Sequence, residues 1–160
     1  IQELNLPDTL PGEYIIDAEM VYSDSGHTKV LLISPKIISI NDAEDPRVEF
    51  PDGLDITFYD DSLQPESRLT ANFGVNFTDK KIMEARNDVI VRNLKKNEQM
   101  NTEHLIWDQR ARKIYSDVFV KITTDDKVLY GEGFESDESF KNRTIKKVSG
   151  ELQVNSEDDY

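Results

Sequence analysis

The chain contains no cysteine. That excludes a disulfide framework, a thiolate metal site and a cysteine nucleophile, and it fits any compartment. Histidine is nearly as scarce. His27 and His104 are the only two, far apart and without an i+4 partner, so the spacing of a zinc site is missing. No run of about 18 apolar residues offers a membrane-spanning helix, and no signal peptide is visible. Basic residues are outnumbered, 19 against 32 acidic ones, for a formal net charge of −13. Such a balance argues against a nucleic-acid footprint and against docking on anionic lipid through a basic patch. Its ordinary effect is solubility.

Catalytic signatures are missing too. There is no Gly-x-Ser-x-Gly elbow. Gly131-x-Gly133 is too short for a dinucleotide loop and has no helix after it, so it marks a bulge or a close backbone approach. Carboxylates are plentiful, but Asp60-Asp61 and Asp125-Asp126 sit in turns, where capping explains them better than a glycosidase pair. The expectation is a protein that is not an enzyme and carries no cofactor or metal.

What is present is a repeat. An aliphatic strand, an aspartate turn, a basic-aliphatic pair and a β-branched run occur three times. The copies are Val30–Leu32, Asp42, Arg47-Val48, Ile56-x-Phe58; then Leu69–Ala71, Asp79, Lys81-Ile82, Val89-x-Val91; then Met100–Thr102, Asp108, Lys113-Ile114, Val118-x-Val120. Counted from Val48 to Ile82 to Ile114, the pairs lie 34 and 32 residues apart. A period of that size means one supersecondary unit reused, and no unit can bury its apolar face alone.

The units are built of strands. Ile15 to Tyr22 is the first, followed by a tight turn at Ser23-Asp24-Ser25-Gly26. Pro35 interrupts the second strand and predicts a bend there. Leu69, Ala71, Phe73, Val75 and Phe77 give the cleanest alternation, with polar residues between them. Ala85 to Glu103 is polar enough to suggest a helix, but Val89-Ile90-Val91 and the turn-like 93–98 segment argue against one. At 160 residues the chain suits one domain, which we bound at 14–154. Residues 1–13 read as a flexible leader and 155–160 as an acidic tail. The start at Ile1 rather than Met reads as a processed or trimmed product.

Five segments, in order, carry a resemblance: Val21-Tyr22-Ser23-Asp24-Ser25-Gly26, Glu49-Phe50-Pro51-Asp52-Gly53-Leu54, Leu105-Ile106-Trp107-Asp108-Gln109, Lys113-Ile114-Tyr115-Ser116-Asp117 and Gly131-Glu132-Gly133-Phe134-Glu135-Ser136-Asp137. Across about residues 14 to 150 the chain resembles the LptC-type periplasmic component of lipopolysaccharide export, in its Bacteroidetes-like form. Family members often carry a glycine before the strand equivalent to Val89–Val91; here Asn87-Asp88 stands there. The resemblance implies an all-β fold, a twisted V-shaped β-jellyroll of stacked antiparallel strands open at both ends. It implies a periplasmic protein held to the inner membrane by an N-terminal anchor that would precede Ile1 and has been removed here. It also implies a relay that accepts lipopolysaccharide from the permease subunits of the inner-membrane transporter and hands it to an LptA-like bridge protein. Its ligand would be the acyl chains of lipopolysaccharide, and nucleic acid is not a partner.

The candidate lipid groove is the inward parity of each strand: Val30, Leu32, Phe50, Ile56, Phe58, Leu69, Ala71, Phe73, Val75, Val89, Val91, Val118, Val120 and Tyr130. Candidate partner edges carry Ile15, Ile16 and Tyr22 at one side and Ile145, Val148 and Leu152 at the other; the same edges offer edge-to-edge pairing of two copies. Lys80, Lys81, Lys95 and Lys96 are the basic residues proposed to touch lipid phosphates. The competing readings are a structural adaptor that holds no lipid and a carbohydrate-binding β-jellyroll module.

Overall fold

A computed structural model describes residues 14–24 and 27–154. The leader, Ser25-Gly26 and the acidic tail lie outside the described residues. The rest is an antiparallel sheet of twelve strands, with no helix among the described residues. In chain order these are β1 (Tyr14–Asp24), β2 (His27–Ile40), β3 (Arg47–Phe50), β4 (Leu54–Tyr59), β5 (Pro65–Ala71), β6 (Phe73–Phe77), β7 (Ile82–Asn93), β8 (Glu98–Asp108), β9 (Lys113–Thr123), β10 (Lys127–Asp137), β11 (Arg143–Ile145) and β12 (Val148–Gln153). The polar 85–103 stretch is strand on both sides of a turn at 94–97, and its β-branched run Val89-Ile90-Val91 lies in β7.

Pairing shows that β3 and β4, β5 and β6, and β11 and β12 are halves of single passes. β2 pairs β4 through Val30–Ile33 and β3 through Ile38–Ile40. β7 pairs β6 through Ile82–Arg86 and β5 through Ile90–Asn93. The chain is thus an up-and-down meander of bent passes, folded into two leaves that face each other. The first leaf holds β4, β5, β12 and the adjoining halves of the long strands; the second holds β3, β6, β11 and the remaining halves.

The bends have local causes. Pro35 sits where β2 exchanges β4 for β3. Asp17, Asn87, Asp88 and Lys147 hold φ between 46° and 66°, and Gly133 holds 92°. Asn and Asp enter this left-handed region more readily than most side chains, so Asn87-Asp88 does the work of a glycine. Ladder bonds are interrupted along the bend, and buried hydroxyls replace them. Ser34 Oγ donates to the Gly53 carbonyl at 2.7 Å. Thr102 Oγ1 donates to the Phe119 carbonyl at 2.9 Å, and Ser116 Oγ accepts from the Val118 amide at 3.3 Å.

The repeat corresponds to one hairpin of two passes, since β3, β7 and β9 each begin at a basic-aliphatic pair. Its register shifts by one residue in the middle copy. Val48, Asn76, Met83, Trp107, Ile114 and Ser136 are cross-strand neighbours in one buried row. Met83 rather than Ile82 occupies the inner position.

Candidate functional site

Paired residues share a face of the sheet, so the registers define rows running across the strands. In the first leaf one row is apolar at every step: Met20, Leu32, Ile56, Leu69, Val91, Met100, Ile122 and Leu129. It runs from β1 to β10, at right angles to the chain. All but Leu129 are buried, and Leu129 packs against the same cluster. The second leaf faces it with Phe50, Ala85, Leu105, Ile114 and Phe134.

Ten of the fourteen groove candidates meet in this interior: Val30, Leu32, Phe50, Ile56, Phe58, Leu69, Ala71, Val89, Val91 and Val120. Four do not. The bend at Asn72 reverses the face, so Gly74 and Asn76 point inward while Phe73 and Val75 fall on the outer rows. Val75 stands between Glu49 and Glu84. Phe73 lies opposite Arg86, whose guanidinium sits 5.8 Å from its ring centroid. Gly74 is inward for a reason: a Cβ there would come within 2.0 Å of Leu54 Cδ2. Val118 is exposed at the bend of β9. Tyr130 is on the outer face, stacked on exposed Phe119 at 5.8 Å.

The leaves part at the mouth, between the β1–β2 hairpin and the turns of the second leaf. A cleft of about 700 Å³ opens there. Its floor is Tyr22, Val30 and Trp107. Trp107 bridges the leaves, meeting Phe58 edge-on at 5.1 Å and Tyr22 at 6.4 Å. Its rim carries Lys29, Lys81, Arg110 and Arg112, with Asp79 and Glu138. Of the four lysines named from sequence, only Lys81 lies here; Lys80 pairs with Asp45 at 3.7 Å and Lys95 with Asp60.

Beside the cleft, the β10–β11 loop crosses the mouth as a strap. Phe140 is fully buried at its centre, 5.6 Å from Phe134, with φ 63°. A bulky residue in that region is strained by about 1–3 kcal/mol, and the surroundings hold it there. Ser67 Oγ donates to the Glu138 carbonyl at 2.6 Å, and Asn93 Nδ2 to the Phe140 carbonyl at 3.4 Å. Lys141 pairs with Glu66 at 2.9 Å, and Arg143 with Glu98. The Glu138 side chain turns back to accept from Trp107 Nε1 at 2.7 Å. Burial pushes the Glu138 carboxyl above the usual carboxylate range, against the opposing pull of the indole N–H and Arg112.

The strap and, apart from Lys81, the cation rim escaped sequence reasoning. Trp107 alternates in phase with Leu105, which signalled an inward position, but its isolation from other aromatics in sequence concealed the cleft.

The family described as lipopolysaccharide-assembly, LptC-related, matches residues 14–152. This chain belongs to the LptC family. A comparison with curated proteins gave no match. The LptC family serves lipopolysaccharide transport in the periplasm, at the inner membrane, and is not a known enzyme family. No helix among the described residues is long and apolar enough to cross a membrane, and none of their His, Asp and Glu side chains group in a way that could hold a metal ion. The edge candidates of this LptC-type chain fall on β1, which pairs only with β2, and on β11 and β12, which pair only with β10. Ile16, Val148 and Leu152 are exposed there, while Ile15, Tyr22 and Ile145 pack partly against the core.

Proposed function

We propose that this LptC-type chain is a lipopolysaccharide relay, taking lipid from the inner-membrane ABC transporter and passing it to the next jellyroll of a periplasmic bridge. One observation carries the reading: the apolar row runs unbroken from Met20 on the β1 edge to Leu129 on β10, one strand short of the β12 edge, along the direction in which a lipid handed between docked neighbours must travel. Each methylene of an acyl chain left in water costs about 0.8 kcal/mol, so a multi-acyl lipid needs such a path to cross an aqueous compartment.

The sheet has an open edge at β1, where the row begins, and another at β12, one strand beyond its end, where Glu151 stands opposite Leu129. Exposed Tyr14, Ile16 and Val21 lie along β1, and exposed Val148 and Leu152 along β12. Unpaired edges with apolar side chains favour strand addition by another chain. On this reading β1 meets the transporter permease and β12 meets the bridge protein. The anchor would precede the described residues, and ATP hydrolysis belongs to the partners.

Photo-crosslinking tests the groove. A photoreactive residue at Phe58 or Val120, on the inner face, captures lipopolysaccharide in cells, and one at outer-facing Thr70 does not. Equal capture at both faces would sink the relay. The tight packing of the interior, where Leu32, Ile56, Val89 and Met100 are 0% exposed, favours a second reading: an adaptor joined through its edges that never holds lipid. Under that reading no position captures lipid, while Leu152→Pro still abolishes partner binding.

A further inference from the structure

The charge of the cleft is inverted relative to the chain. Overall, 19 basic residues face 32 acidic ones. At the mouth, four cations face two carboxylates, Asp79 and Glu138. Beneath the cations lies an aromatic and aliphatic floor. This combination fits an anionic head on an apolar body, and a volume of about 700 Å³ is in the range of small-ligand sites.

Backbone geometry points the same way. Lys81 and Arg112 close the turns that precede β7 and β9, with φ of 55° and 54°. A side chain in this region is strained where glycine would not be. Two equivalent turns thus hold a cation at a strained position, and both cations face one cleft. Arg110, from the β8–β9 turn, reaches the Asp79 carbonyl at 3.4 Å and ties that turn to its neighbour. Lys29 comes from the opposite leaf. Its partner Asp61 is 96% exposed, and ion pairs of that kind contribute little, so a phosphate can take the carboxylate's place.

We infer that this cleft is a head-group site, in which Lys81, Arg110 and Arg112 grip the phosphorylated saccharide end of lipopolysaccharide while its acyl chains pass inward beside Trp107. The inference rests on the relay reading and adds to it a recognition step for charge. Phosphate oxygens accept charge-assisted hydrogen bonds from guanidinium and ammonium groups, and the four cations, drawn from both leaves, surround the point of entry.

Trp107 is the sole tryptophan of the chain, so intrinsic fluorescence reports on the cleft directly. The full chain is titrated with lipopolysaccharide and with the same lipid stripped of its phosphates, at two salt concentrations. The phosphorylated lipid binds roughly tenfold tighter, the equivalent of about one charge-assisted contact, and the preference shrinks at high salt. The double variant Lys81→Gly with Arg112→Gly binds both lipids alike. Glycine suits the positive φ of both turns, so the variant stays folded, and a single cooperative melt separates lost binding from lost folding. Equal affinity of the native chain for both lipids overturns the head-group site while leaving the relay intact. Failure to bind either lipid overturns the relay itself. Fluorescence change with inorganic phosphate alone, unaltered by subsequent lipid, reassigns the cleft to a small anion and also overturns the inference.

Discussion

On the β10–β11 flank of the mouth the two leaves are tied together by the strap; on the β1–β2 flank the same leaves enclose a cleft. The strands on both flanks are laddered in the same way, so the difference comes from the loops. The strap offers carbonyls to Ser67 and Asn93 and seats Phe140 in the core. The open flank brings Lys29, Lys81, Arg110 and Arg112 around one space, and like charges do not pack together. Closure in this fold is therefore written in the turns, and a single meander carries both a sealed and an open side.

Three substitutions break or sharpen that contrast. The largest effect belongs to Phe140→Ala, which empties a fully buried site. It should cost about 3–5 kcal/mol, read as a lowered urea midpoint; a loss under about 1 kcal/mol would show that the plug is not seated. Next, Ser67→Ala strands the Glu138 carbonyl, for a loss of about 1–2 kcal/mol with faster amide exchange in the strap. The matching change on the open flank, Lys29→Gln, removes only an exposed ion pair and should cost less than about 1 kcal/mol. Equal losses would erase the distinction between the flanks.

The smallest effect is the most informative about the boundary between them. The Glu138 carboxyl titrates above its unfolded value, so its ionised form opposes folding at neutral pH and its neutral form does not. Glu138→Gln keeps an acceptor for the Trp107 N–H and removes the charge. It should raise the melting temperature at pH 7, and the gain should vanish as pH falls through the unfolded carboxylate value near 4.5. A gain that instead grew toward acid pH would reverse the sign of this account. If the head-group site is real, the same variant binds phosphorylated lipid more tightly.

Fold class was legible because period-two alternation and turn residues are local properties. The repeat was legible because two passes make one unit. Its phase was not: the middle copy is offset, with Met83 in the inner row, and the pair Lys81-Ile82 hides that. The face of Phe73 and Val75 was illegible for a related reason. Alternation continues unbroken from Leu69 to Phe77 in sequence, while the backbone turns over at Asn72. The strap was hidden by its composition, since Glu138-Ser139-Phe140-Lys141-Asn142 reads as a polar loop with one stray aromatic. Only the path of the chain back to β5 and β7 shows that Phe140 is the reason the loop is ordered.

The bend through every pass has a mechanical consequence. Ladder hydrogen bonds run along each leaf, from one strand to the next, and hardly any of them span the gap between leaves. What joins the leaves there is side-chain packing and the few polar contacts of the strap. Spreading the leaves is therefore nearly orthogonal to the backbone bonding: a guest entering the mouth works against dispersion and hydration forces, while the strand registers stay as they are. The leaves are joined like the pages of a book at its spine, and parting them would break none of the binding.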